Sequence, residues 1–299
     1  MHEGVVPLNS VLRLTYGSPF GFWWMASQFD PAQTVFTILY QRDDGGEFIS
    51  QVRVLSQAKI SYLTLLGGNE EIIPDDLTFI IKDLTIRVQR MGSIHLVAEV
   101  DHKHPLLEKM KTSGFGVSAW QDIWQFSHQP DFRREADQPG EWCPLAEVDW
   151  WQACQLLQAV TPPISQMTDL PSRFLSRYWV CHKDTRIIAF ADIRYGPQGI
   201  WIQPTFDPEV SHCPDLLCDL IHCLPARLSR PVYLSVRSYQ SWLFRSIELL
   251  GAEYVAHQAI LVKHMAGYIK EFSTSELLRL EKRKAKPSNP VLPSRSVEE

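Results

Sequence analysis

LVAEVDHKHPLLEKMKTSGFGVSAWQDIWQF (residues 96–126) and YLSVRSYQSWLFRSIELLGAEYVAHQAILV (residues 233–262) decide the fold, because they carry one pattern twice. Each opens on a strand: Ile94 to Val100 leads into the first, and Val232, Leu234 and Val236, at the start of the second, alternate as a half-buried strand does. A short helical stretch follows, Pro105 to Thr112 in one and Trp242 to Leu250 in the other. A glycine then closes the helix, Gly114 or Gly251, because a left-handed cap costs a residue without Cβ nothing. Val117 to Phe126 predicts the closing strand or strands of the first half. Glu253 to Lys263 predicts a closing strand pair in the second.

Working outward, the residues before each stretch also run in one order. In the first half Thr34 to Tyr40 reads as a strand, Asp43-Asp-Gly-Gly46 as a turn, and Phe48 to Leu55 and Lys59 to Leu66 as two more strands. The loop Gly67-Gly-Asn-Glu-Glu71 leads to a helix with Leu77, Ile80, Ile81, Leu84 and Val88 on one face, and Ile94 to Val100 is the next strand. In the second half a helix over Glu147 to Val160 stops at Pro162-Pro163. Arg177 to Cys181, Ile187 to Tyr195 and Ile200 to Gln203 are strands, with turns at 183–186 and 196–199. A helix from Asp215 then repeats Leu216, Leu220 and Leu224 every four residues, one apolar stripe against a sheet. The order β-turn-β-β-loop-α-β-α-Gly-β therefore occurs twice, a period too long for a solenoid. The fold class is α/β (α+β), with modules over residues 1–130 and 140–266. Residues 127–141, polar with two prolines and a glycine, read as the linker between them. A capping box at Ser273–Glu276 opens a short charged helix, and residues 287–299 complete a disordered tail that begins at 267 as helix.

Composition narrows the function classes. The 299 residues suit about two domains, and 45% hydrophobic with 21% charged suits a packed core. A net charge of −5 argues against a nucleic-acid partner. No apolar run reaches the roughly 18–20 residues that span a bilayer, so no membrane partner is expected. The first residues carry no signal-peptide pattern. The six cysteines lack the density of a disulfide scaffold, and the cytoplasm is the expected compartment. Nothing in the sequence sets an oligomeric state.

The repeated order, carried by 96–126 and 233–262, resembles the GNAT superfamily of acyl-CoA-dependent N-acyltransferases, arranged in tandem. The resemblance covers most of residues 34–126 and 142–263, with the first copy abbreviated because its first 33 residues leave little room for two leading helices. It implies, in each module, a mixed and strongly twisted sheet flanked by helices, splayed between its fourth and fifth strands. Acyl-CoA, acetyl-CoA in particular, would lie in that split with its pyrophosphate on a glycine-rich loop at the start of the next helix, where free N–H groups and the helix dipole attract an anion. By loop position the implied cofactor-binding residues are Phe206, Val210 and Ser211.

Two departures stand beside the resemblance. The second loop, Pro204 to Asp215, has no glycine and three prolines, each lacking an N–H. Both loops are acidic: Glu70, Glu71, Asp75 and Asp76 in the first, and Asp207, Glu209 and Asp215 in the second. A unit negative charge about 4–5 Å from a phosphate costs roughly several kcal/mol at an effective dielectric near 20. The tyrosine that would protonate a departing thiolate falls four residues before the glycine cap, where this chain has Met110 and Ile247. Tyr239 could act only from another direction, and reads as a packed aromatic with its hydroxyl at the surface.

Other clusters are less specific. His212, Cys213, Cys218, His222 and Cys223 invite a zinc reading, but cysteines five apart turn about 140° round a helix, so only Cys218 and His222 share a face. Buried thiols are the simpler reading. His95, Glu99 and Asp101 share one strand face near His102 and His104, either as a base–carboxylate site or as a solvated strand end, the latter preferred. Phe20-Gly-Phe-Trp-Trp24 reads as a plug on a sheet edge or between domains rather than a pocket wall. The catalytic residues stay unassigned. The resemblance implies acyl transfer from acetyl-CoA to a small-molecule or peptide amine. The alternative is a catalytically silent tandem scaffold that acts as a binding or assembly module; the loop chemistry favours that alternative, while the family resemblance favours acyl transfer as the first reading.

Overall fold

The computed structural model describes residues 4–18, 34–41, 46–55, 58–68, 74–127, 140–171, 178–225 and 230–265. Residues 1–265 fall in one compact unit. The strands are β1 (Val5–Pro7), β2 (Thr34–Gln41), β3 (Glu47–Leu55), β4 (Ile60–Gly68), β5 (His95–Asp101), β6 (Gly116–Phe126), β7 (Glu141–Pro144), β8 (Tyr178–Lys183), β9 (Arg186–Tyr195), β10 (Ile200–Phe206), β11 (Val232–Arg237) and β12 (Glu253–His264). The helices are α1 (Ser10–Tyr16), α2 (Pro74–Arg90), α3 (Leu106–Thr112), α4 (Trp150–Val160), α5 (Gln166–Asp169), α6 (Cys213–Cys223) and α7 (Phe244–Leu249), with 3-10 turns ahead of α4 and α7. The turn at 43–46, the aromatic run at 20–24, the acidic stretch at 69–73, most of the linker and everything after 265 lie largely or wholly outside the described residues.

All twelve strands join one mixed sheet in the order β2-β3-β4-β5-β12-β6-β11-β10-β9-β8-β7, with β1 paired to β4 off that path. The repeat is visible in it. β4 and β5 run parallel in the first half, as β10 and β11 do in the second, and each pair is followed by a short helix and a glycine. Gly114 and Gly251 take φ of +90° and +78°, the left-handed cap that closes α3 and α7.

The closing strands depart from the sequence reading. Glu253 to Lys263 is not a strand pair but part of the single strand β12. Each half contributes one closing strand, and they cross over: β12 lies between β5 and β6, and β6 lies between β12 and β11. The β6–β12 ladder runs from Glu253↔Gln125 to Val262↔Gly116, antiparallel with two register shifts. Neither half closes its sheet without a strand from the other.

Helices cover the sheet where their apolar stripes require. Leu77, Ile80, Ile81, Leu84 and Val88 of α2 are buried against β4 and β5, in one core with Met110, Phe115 and Leu8. Leu216, Leu217, Leu220 and Ile221 of α6 are buried in a second core with Phe206, Leu234 and Ile247. Met110 and Ile247, which stand where the resemblance would place a thiolate acid, are core side chains. Among the described residues no helix is long and apolar enough to cross a membrane.

Candidate functional site: two strand splits and a central pocket

Each parallel pair holds together over three residues and then parts. β4 and β5 pair at Ile60↔His95, Ser61↔Leu96 and Tyr62↔Val97, while β4 continues to Gly68. β10 and β11 pair at Ile200↔Val232, Trp201↔Tyr233 and Ile202↔Leu234, while β10 continues to Phe206. These are the splits that the resemblance leads one to expect, and both are filled by the chain itself.

In the first split lies the segment from β1 to the start of α1. Leu8 N–H donates to Thr64 O at 2.9 Å on one side, and Glu99 N–H donates to Leu8 O at 2.9 Å on the other. β1 continues antiparallel to β4, with Val5 opposite Gly67. Gly67 admits that backbone: a Cβ there would lie 2.0 Å from Gly4 O. The glycines read as a loop are therefore the end of β4, and they make room for a strand. In the second split the Gln240 side chain does the same work. Its Nε2 donates to Pro204 O at 3.3 Å, and its Oε1 accepts from Phe206 N–H at 3.0 Å.

The loop after β10 uses its amides internally. Phe206 is buried in the core with its N–H on Gln240. Val210 N–H donates to Asp207 O at 3.0 Å, and Glu209 N–H to Asp207 Oδ1 at 3.0 Å. Ser211 stands exposed in the same loop. Arg186 Nη2 meets Asp207 Oδ2 at 2.5 Å. Thr64 O, Glu99 N–H, Pro204 O and Phe206 N–H are thus bonded within the chain rather than offered to an extended acyl-CoA, and the carboxylates of the second loop, Asp207 and Glu209, are both paired with Arg186.

A small pocket, open to solvent, lies on the sheet face away from α2 and α6. Residues of both halves line it: Tyr62, Val97, Glu99 and Ile260 on one side, Tyr178, Phe190, Asp192, Arg194 and Trp201 on the other. Strand alternation sends these side chains to one face, since Glu99 sits opposite Ile260, Gln258 opposite Gln121, and Gln121 opposite Arg237.

A buried polar chain crosses the sheet beneath the pocket. Ser10 N–H donates to Glu99 Oε2 at 2.6 Å, and Ser10 Oγ to Gln258 Oε1 at 2.6 Å. Gln121 Nε2 donates to Gln258 Oε1 at 2.9 Å, and Arg237 Nη1 donates to Gln121 Oε1. Arg237 Nη2 then meets Asp169 Oδ1 at 2.7 Å, with side chains 7% and 2% exposed. Burial works against the Arg237 charge, and Asp169 more than offsets it, so the guanidinium is held protonated. Tyr239 donates to Asp169 Oδ2 at 2.8 Å. Its hydroxyl is not at the surface; burial, then Asp169, raises its pKa and keeps it a neutral donor.

The carboxylates and guanidiniums lining the pocket do not balance. Asp169 is paired with Arg237 and Asp192 with Arg194, the latter at 2.8 Å. That leaves Glu99, buried rather than solvated, with an amide on Oε2 and no hydrogen bond to Oε1 among the described residues. The sequence missed this because its partner, Ser10, lies 89 residues away. His95 faces His264 instead, and His102 meets Asp101 at 3.6 Å, so no base–carboxylate site forms round Glu99. Cys218 Sγ lies 3.4 Å from His222 Nδ1 on one face of α6, and Cys213 is buried.

No family model and no curated protein matches the sequence. Solved structures do. A functionally unknown conserved protein from Staphylococcus epidermidis aligns over 73% of this chain and 91% of its own at TM-score 0.53 and 13% identity. A GCN5-related N-acetyltransferase from Sphaerobacter thermophilus aligns over 76% and 80% at TM-score 0.50 and 11% identity. A tandem GNAT protein from the clavulanic acid biosynthesis pathway aligns over 78% and 84% at TM-score 0.49 and 10% identity. With the repeat within this chain, the architecture is that of the GNAT fold, present as two modules in one continuous sheet.

Proposed function

We propose that this protein binds a small-molecule amine in the central pocket, as a tandem GNAT-fold binding module with boundaries near residues 1–130 and 140–266. The observation that carries the reading is Glu99, a buried carboxylate that, among the described residues, has no hydrogen bond on Oε1 and no cationic side chain within ion-pair distance. An ammonium group supplies the missing charge, and the aromatic rings of Tyr62, Tyr178, Phe190 and Trp201 suit a cation or an apolar body beside it. Burial raises the Tyr62 pKa, so its phenol stays a neutral hydrogen-bonding group at neutral pH.

A second reading, acetyl transfer from acetyl-CoA to that amine, is favoured by the fold alone. It would use the amides of Phe206, Val210 and Ser211 for the cofactor, two of which already donate within the chain. Calorimetric titration with tyramine, against its uncharged alcohol analogue, tests the first reading. Tyramine should bind, the alcohol at least about 10-fold more weakly, and Glu99→Gln should remove the difference, about 1.4 kcal/mol per tenfold. Equal affinity for amine and alcohol would reject an amine site.

A further inference from the structure

We infer that the chain carries its own occupant of the acyl-CoA position in each half: the segment Val5–Ser10 in the first and the Gln240 carboxamide in the second. The two are unrelated in sequence and converge on one atom of the repeat. Counting from the last parallel pair, Tyr62 in β4 and Ile202 in β10, the acceptor is two residues on in both: Thr64 O takes Leu8 N–H, and Pro204 O takes Gln240 Nε2. A parted parallel pair leaves strand groups unbonded on its inner edges, and buried unpaired groups are costly. An extended ligand would satisfy them in a cofactor-binding protein. Here a peptide segment and a side-chain amide do so.

The first occupant is anchored along its length. Leu8 bonds both strands of the split, and its side chain is buried in the first core. Ser10 bonds Glu99 and Gln258. Beyond it α1 reaches the second half, where Thr15 O accepts from Gln198 N–H at 2.9 Å and Gly196 gives the close approach, since a Cβ there would lie 2.3 Å from Thr15 O. Withdrawing the segment would break contacts in both halves at once. The second occupant stands beside a loop whose Phe206, Glu209 and Val210 amides all donate inside the chain. Exclusion of acyl-CoA is then a built-in property of this fold, and it holds whether or not the central pocket takes an amine.

The test uses the intact chain, with amide hydrogen exchange and calorimetry run with acetyl-CoA up to millimolar concentration. The Leu8 and Glu99 amides should exchange only with global unfolding, acetyl-CoA should leave every amide unchanged, and no saturable heat should appear. Saturable binding of acetyl-CoA would overturn the inference. So would Leu8 and Glu99 amides that exchange as fast as those of an unstructured chain. The tyramine titration reads the central pocket separately, so the failure of one proposal is distinguishable from failure of the other.

Discussion

Arg237 shows how a single side chain can hold the centre of this sheet. Its place at the end of the alternation Val232, Leu234, Val236 puts it on the opposite face, which the sequence does give. Its partners, Asp169, Gln121 and Gln203, come from three other elements, and no local pattern announces them. The same holds for Tyr239 and Glu99, whose burial follows from distant residues rather than from strand period. Removing one member of a buried ion pair strands the other, at about 3–5 kcal/mol, whereas replacing both with apolar groups is often nearly neutral. Arg237→Met should therefore lower stability to urea by about 3–5 kcal/mol. Adding Asp169→Leu to that variant should restore a large part of the loss. A single substitution costing under about 1 kcal/mol would mean that the pair is open to water. The buried thiols follow the same logic of environment: burial raises Cys213 to about 11, so it should resist alkylation at pH 8 in the folded protein.

Elements with a strong period were legible and short ones were not. α2 and α6 follow from apolar residues at three- and four-residue spacing, β11 from alternation, and β8 to β10 from apolar runs bounded by turn residues. β1 has only three residues and no alternation to read, yet it determines what fills the first split. β12 was legible in part: from Glu253 to His264 it contains no glycine, proline or asparagine to turn a hairpin. Its insertion beside β5 was not, because pairing over more than 150 residues leaves no local trace. That seam carries a pH dependence. His95 and His264 face each other in the ladder with Nδ1 atoms 3.2 Å apart. Burial, then His264, lowers the His95 pKa below the usual value of about 6.5. The unfolded chain therefore takes up this proton first, and the His95 contribution is full above about pH 6.5 and falls as acid is added. The urea midpoint should drop between pH 7.5 and 5.5, and by less in His264→Gln. The pairs His257–Asp122 and His182–Asp149 are present in both proteins and cancel in the comparison. An equal drop in the two would remove the seam from the account.

At the scale of the molecule, the sequence shows two copies of one order and suggests two bodies on a linker. The structure joins them, because each copy is one closing strand short and takes it from the other. The N-terminal segment adds a second tie, running from the first split to the β9–β10 hairpin. The central pocket exists only because the halves share a sheet, and its lining is drawn from both. Its chemistry was hidden for the same reason: Glu99 and Arg194 are 95 residues apart and belong to different copies. If the exchange of β6 and β12 is the central fact, neither half can unfold while the other stays intact. Scanning calorimetry of the intact chain tests this most directly. One transition is predicted, with calorimetric and van't Hoff enthalpies equal, as for a single cooperative unit. Two resolved transitions, or a calorimetric enthalpy about twice the van't Hoff value, would contradict it and return the molecule to two independent domains.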